Sequence, residues 1–318
     1  IAQVRGQDFD LRPSHQAYFE EKKKNKNLKP IFLHSNAFSD LKVFQKAKKN
    51  NSIIPFRGPL NSPTLSCAED LKYKVIFNDK YGFKNLNDIY EKNIDSFLLG
   101  DSYAEGLCET LNNDIAGNLN KKKINTVNFG VTGTGPLISL AILKEFGKIF
   151  KPKNIIYLYF EGNDLDDLNY EKKDTNLPNY LRKDYQVNYV EKYSEIKKFL
   201  SAAEIESEAL IKSKLSITAN NVLKKTNKFD LFQARAKDIL ELNNLRNIFK
   251  YSILNNQKNY YDLNYFYSVI EEMKDTSTKL NSKYYFVYVP TWSRYFTRFT
   301  KVDSKISLKN EILNNLRL

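Results

Sequence analysis

The segment Gly100-Asp101-Ser102-Tyr103 follows the apolar run Phe97-Leu98-Leu99 and precedes residues with helical spacing. A serine so placed stands at a sharp turn from strand to helix. Unpaired backbone N–H groups and the positive end of a helix dipole favour negative charge at such a turn. An acyl-transfer intermediate needs that environment for its oxyanion, with the serine hydroxyl as nucleophile. Taken alone, Asp101 or Ser102 reads equally as a helix cap.

Two more turns have the same setting. Asn128-Phe129-Gly130-Val131-Thr132-Gly133-Thr134-Gly135-Pro136 also lies between a strand-like and a helical segment. Its glycines leave backbone N–H groups open to a ligand, and by itself it fits a phosphate cradle or a flexible turn. It lacks the Gly-x-Gly-x-x-Gly spacing of a dinucleotide site and the Lys-Ser/Thr ending of a P-loop. Glu161-Gly162-Asn163-Asp164 follows a third strand-like run, and the Asn163 carboxamide is a donor that could face the same oxyanion. Consecutive strand ends of a parallel sheet line one edge, where ligands of open α/β sheets bind.

The elements that must position these turns are legible from periodicity. Short apolar runs at Ser96 to Leu99, Thr126 to Phe129 and Asn154 to Phe160 alternate with helical segments at Ser102 to about Asn112 and Leu137 to Phe150. That alternation predicts a parallel sheet with crossover helices. The run Tyr284 to Val289, ending at Pro290, resumes the β-favouring pattern. Between it and the third strand, residues 165–280 read as an inserted helical subdomain, with helices at Tyr189 to Ser201, Ala203 to Lys224, Leu231 to Lys250 and Tyr261 to Leu280. Residues 1–66 form a polar, proline-punctuated N-terminal extension with one helix near Gln16 to Lys24, and residues 67–318 form the main domain. A further strand is expected at Leu71 to Phe77.

Gly100-Asp101-Ser102-Tyr103, the Asn128 to Gly133 loop and Gly162-Asn163-Asp164 together resemble the first three blocks of the SGNH hydrolase superfamily, the GDSL-like lipases and esterases. The resemblance covers roughly residues 81–167, and Tyr284 to Pro290 is similar to the following strand. It implies a three-layer α/β/α fold, flavodoxin-like in outline, and hydrolysis of an ester through a Ser102 acyl-enzyme. Ser102 would be the nucleophile, and its own N–H, the Gly133 N–H and the Asn163 side chain would form the oxyanion hole, with Gly100 and Asp101 in support. Two departures stand out. Glu161 occupies the place of a family glycine, and the late Asp-x-x-His motif that supplies the base is missing. The only histidines, His15 and His34, lie far upstream and read as surface or packing residues. The chain therefore reads as stopping short of that block, and as a poor catalyst in this form.

The family acts on acylated carbohydrates, lipids and small esters, and an O-acyl group on an envelope glycan is the substrate to which this reading leans. Acyl transfer to a sugar hydroxyl and non-catalytic glycan binding are the alternatives. The resemblance also implies a bacterial, exported protein, periplasmic or attached to the cell envelope. In that setting Cys67 and Cys108 could form a disulfide beside the nucleophile turn, rather than remain buried thiols. The chain starts at Ile1 and ends in what reads as an unfinished helix, so both ends read as cut, and an N-terminal membrane anchor could precede it.

Composition narrows the remaining classes. The 318 residues carry a net charge of +13. The basic excess is spread in short runs such as Lys22 to Lys24 and Lys121 to Lys123, which reads as solvated surface rather than a nucleic-acid interface. No cysteine or histidine cluster has metal-ligand spacing, and no cofactor is called for. Asp164, Asp166 and Asp167 read as the acidic first turn of a helix rather than a cation site. No run of eighteen apolar residues occurs.

Overall fold

In a computed structural model of the protein, residues 2–4, 7–10, 12–35, 38–66, 73–224 and 261–291 are described. The chain divides into two units, Ile1–Ala209 with Asp262–Thr291, and Leu210–Tyr261 with Trp292–Leu318. Nearly every described residue belongs to the first.

The N-terminal segment is built from small pieces. Strands β1 (Ala2–Val4) and β2 (Gln7–Phe9) pair antiparallel and are followed by helix α1 (Ser14–Lys24), strand β3 (Phe32–Leu33), helix α2 (Lys42–Lys49) and strands β4 (Arg57–Gly58), β5 (Ser62–Leu65) and β6 (Val75–Asn78). Antiparallel pairing joins β3 to β4 and β5 to β6. The expected strand at Leu71 begins later, at Val75.

The main sheet is α/β in character. Strands β7 (Ser96–Gly100), β8 (Thr126–Asn128), β9 (Asn154–Phe160) and β10 (Lys283–Val289) lie in the order β10-β9-β7-β8, parallel throughout. Helices α3 (Ser102–Glu105), α4 (Ile115–Lys121), α5 (Pro136–Phe150), α6 (Asp164–Glu171), α7 (Tyr193–Lys224) and α8 (Leu263–Lys279) complete the described elements with two short 3-10 turns. Because strand side chains alternate, each strand serves both faces. Leu98 and Leu158 meet Ala104 and Ala116 on one face. On the other, the Phe97 ring stands 4.7 Å from Phe129, Phe129 4.9 Å from Phe146 of α5, and Tyr159 5.3 Å from Phe266 of α8. Helices thus cover both faces, and α5 is buried along its first twelve residues, which explains its nearly unbroken apolar sequence.

Residues 193–224 contain no glycine or proline, so the two helices expected there are one, α7. Its glutamates bind the N-terminal segment. Glu208 pairs with Lys22, and Glu204 lies 2.9 Å from Lys29. Helix α2 has Leu41 at its N-cap and no capping side chain of its own. Glu206 takes that role, accepting from the N–H groups of Lys42 at 2.6 Å and Val43 at 3.1 Å. The helix expected at Leu231 to Lys250 lies outside the described residues.

Candidate active site

Ser102 emerges where β7 ends. Gly100 sits at φ +140°, and a Cβ there would stand 2.6 Å from the Leu158 carbonyl oxygen, so only glycine lets β7 turn this close to β9. Asp101 caps the turn, its carboxylate accepting from the Tyr103 N–H at 2.9 Å. The Ser102 hydroxyl donates toward Asp101 Oδ2 at 3.4 Å, a long contact that leaves it easily drawn away.

The helix after Ser102 is shorter than expected. It ends at Glu105, with Gly106 left-handed at φ 62°. The carbonyls that would continue it are taken from outside: Lys84 donates to Gly106, Ser66 to Leu107 and Lys74 to Cys108. Four residues carry little macrodipole, so charge stabilisation at Ser102 rests on individual N–H groups.

The glycine loop runs along the same turn. The Phe129 N–H donates to the Leu98 carbonyl at 2.8 Å and the Val131 N–H to the Gly100 carbonyl at 3.0 Å, which carries β8 past its formal end. At Gly130 a Cβ would fall 2.2 Å from the Glu105 nitrogen, so the loop lies directly on α3. Gly133 is left-handed at φ 71° beside Ser35, and its N–H donates to no described residue.

Asn163 is the N-cap of α6 at the end of β9. Its amide donates to Asp167 Oδ2 at 2.6 Å and also favours the ionised form of Asp101. Asp101 thus contacts Ser102 and is influenced by Asn163. Burial dominates the electrostatics. Asp101 is pushed up by desolvation against the N–H groups around it. Asp164 is pushed well above the ordinary range by desolvation and then by the Asp101 charge. Its Oδ2 accepts from the Tyr157 hydroxyl at 2.9 Å and the Phe160 N–H at 3.1 Å, while Oδ1 is buried without a partner, as suits a protonated carboxyl. Asp167 is raised to about 6, mainly by desolvation. Glu171, whose carboxyl accepts from the Gly135 and Leu137 N–H groups at the start of α5, is raised to about 8 by burial. The three aspartates expected in the first turn of α6 are there, and among the described residues no group of three or more side chains could hold a metal.

Other expected residues fall elsewhere. His34 is buried, its ring stacked on Phe56 and edge-on to Phe44, and Nε2 is 4.0 Å from Asp174. Desolvation lowers its pKa to about 4, so it is a neutral packing residue at pH 7. His15 lies in the first turn of α1. Glu161 accepts from the Thr291 N–H at 3.0 Å and so ties the exits of β9 and β10. Cys67 lies outside the described residues, and with it the expected bridge to Cys108. A cavity of about 400 Å³ is lined by Lys84, Asn85, Asp114, Asn120 and Asn125, among others, but not by Ser102, Gly133 or Asn163.

Comparison with known proteins found no family model, no curated protein and no solved structure that matches the chain.

Sequence reading missed the residues that hold these turns. Glu105 carried a signal, because Ser102-x-x-Glu105 has capping-box spacing. Its partner Arg57 carried a fainter one. Arginine supplies nine of the fifty basic residues, and in a lysine-rich chain an arginine is the better candidate for a buried, multiply bonded cation. Nothing local marks Glu171 as buried or Asp167 as half-buried.

Proposed function

We propose that this protein is a serine ester hydrolase of the SGNH type, acting through an acyl-enzyme on Ser102, with an O-acylated glycan or lipid as substrate. One observation carries the reading: the Ser102 hydroxyl at the end of one strand contacts Asp101, whose ionised form the Asn163 amide at the end of the neighbouring strand also favours, while the Gly133 N–H on the adjoining loop donates to no described residue. The strand order also supports it. Read along the chain, β8-β7-β9-β10 is 2-1-3-4, the first four places of the flavodoxin-like order, whose ligands bind at the switch point beside strand 1. Helices on both faces suit a three-layer α/β/α arrangement.

In this mechanism the Ser102 oxygen attacks the acyl carbonyl as its proton passes to a base, and the alcohol leaves with a proton returned from that base. Water then cleaves the acyl-serine by the same route. The Ser102 and Gly133 N–H groups and the Asn163 amide stabilise the negative oxygen of each tetrahedral intermediate. The reading requires a histidine base that neither His15 nor His34 supplies. Export to the periplasm or cell envelope belongs to the same proposal.

The test is a fluorophosphonate probe applied to the full-length protein and to its Ser102→Ala variant. Labelling that disappears in the variant is expected. Equal labelling of both, or none of either, overturns the assignment, and faster acyl transfer to a sugar than to water would make the protein a transferase.

A further inference from the structure

The N-terminal segment sends a charged side chain into the candidate site. Arg57, on β4, is completely buried, and its Nη2 donates to Glu105 Oε1 at 2.7 Å. Its Nη1 donates to the Asn78 side chain and to the Gly82 carbonyl. Glu105, the third residue after Ser102, is also completely buried. Its other oxygen, Oε2, accepts from both the Thr132 N–H and the Thr132 hydroxyl, each at 2.7 Å. The Asn128 amide donates to the Glu105 carbonyl at 3.2 Å, and Gly130 lies against its backbone.

A carboxylate buried this deeply stays charged only when a cation and several donors face it. Here the Arg57 guanidinium and the Thr132 donors outweigh desolvation and hold Glu105 below its ordinary range. The Thr132 N–H belongs to the Val131–Thr132 peptide, so these bonds hold the backbone nitrogen and side chain of Thr132, the residue before Gly133, and thereby restrict the direction of the Gly133 N–H. That direction is what an oxyanion donor requires, since a donor works only when aimed before the charge forms.

We propose that Arg57 and Glu105 are positioning residues that clamp Thr132, the residue before Gly133, against the Ser102 turn. The aim of the Gly133 donor would then depend on a side chain from the N-terminal segment. The inference rests on the Ser102 reading for its catalytic meaning, but the clamp itself is testable without it.

The experiment measures two things on the full-length protein and on its Glu105→Gln and Thr132→Val variants: amide hydrogen exchange across residues 130–134 and the rate of Ser102 phosphonylation by a fluorophosphonate. Thr132→Val keeps the N–H bond and removes only the hydroxyl, so it serves if Glu105→Gln does not fold. Glu105→Gln is expected to speed loop exchange by at least about tenfold, the scale of a lost hydrogen bond to a charged group. Exchange within α5 should stay near wild type, and phosphonylation should slow by about 10- to 100-fold. Thr132→Val is expected to move both readouts the same way by a smaller factor. Glu105→Asp, which keeps the charge, should recover part of the rate. Loop exchange unchanged in a folded variant overturns the clamp, as does wild-type phosphonylation in both. If the loop loosens but wild-type Ser102 never reacts, the clamp stands as structure and the esterase reading falls.

Discussion

Buried and half-buried carboxyls flank Ser102, and they are held in opposite ways. Glu105 faces Arg57 and the Thr132 donors, and these keep it ionised although both members of the pair are fully buried. Among the described residues, Asp164, Asp167 and Glu171 accept hydrogen bonds from neutral donors only. Burial and mutual repulsion, Asp101 acting on Asp164 and Asp167, and Asp167 on Glu171, push all three up. The contrast separates a fixed charge that does not respond to ordinary changes of pH from a group of carboxyls that does. The Thr132 part of the glycine loop should therefore hold its geometry across pH, whereas Asn163 and the Gly135 end of the loop, which Glu171 binds, should feel protons leaving the acids around them.

The strongest way to break this comparison is to strand the charge on the first side. Arg57→Met leaves Glu105 buried without its cation and should cost about 3–5 kcal/mol in chemical denaturation. Arg57→Met combined with Glu105→Leu removes both charges, and recovery of most of that loss would show that the pair stabilises by matching rather than by its net attraction.

The second side is probed by pH. Each raised carboxyl binds its proton more tightly in the folded chain than in the unfolded one. Its contribution to stability is therefore complete below the unfolded value and is lost as pH rises through the folded value. For Asp167 the window runs from 3.8 to about 6, and for Glu171 from 4.5 to about 8. Thermal unfolding temperature should fall across these ranges, and Asp167→Asn and Glu171→Gln should each flatten their own part of the decline. A profile that rises from pH 5 to 8 would remove the distinction between the two sides. The smallest effect is expected at Ser102 itself. Ser102→Ala removes only a long 3.4 Å contact and should change stability by less than about 0.5 kcal/mol, while abolishing any Ser102-dependent labelling.

How much of this was legible in the sequence follows from where the information lies. The four parallel strands could be read because each is a short apolar run bounded by glycine, proline or charge, and α5 because its apolar spacing runs without a break. The three turns could be read because residues at strand ends are local in sequence. The length of α3 could not, since it is cut short by Ser66, Lys74 and Lys84 binding its carbonyls from other elements. The Arg57 to Glu105 contact joins residues far apart in sequence, and the burial of Glu171 depends on α6 lying against α5. Periodicity records which face of an element is apolar, but not which polar group of another element meets it.

The pairing of β9 with β10 has a consequence for how the chain reaches its native state. Asn154 pairs with Lys283, so closing that sheet joins segments roughly 130 residues apart, an ordering cost of about 4 kcal/mol from loop closure alone. Long-range parallel pairing of this kind is slow to nucleate. During synthesis at about 5–20 residues per second, the apolar edge of β9 would wait roughly 6–25 s for its neighbour to be made. A ribosome-bound chain stalled in that interval should be the species most prone to self-association and to capture by chaperones.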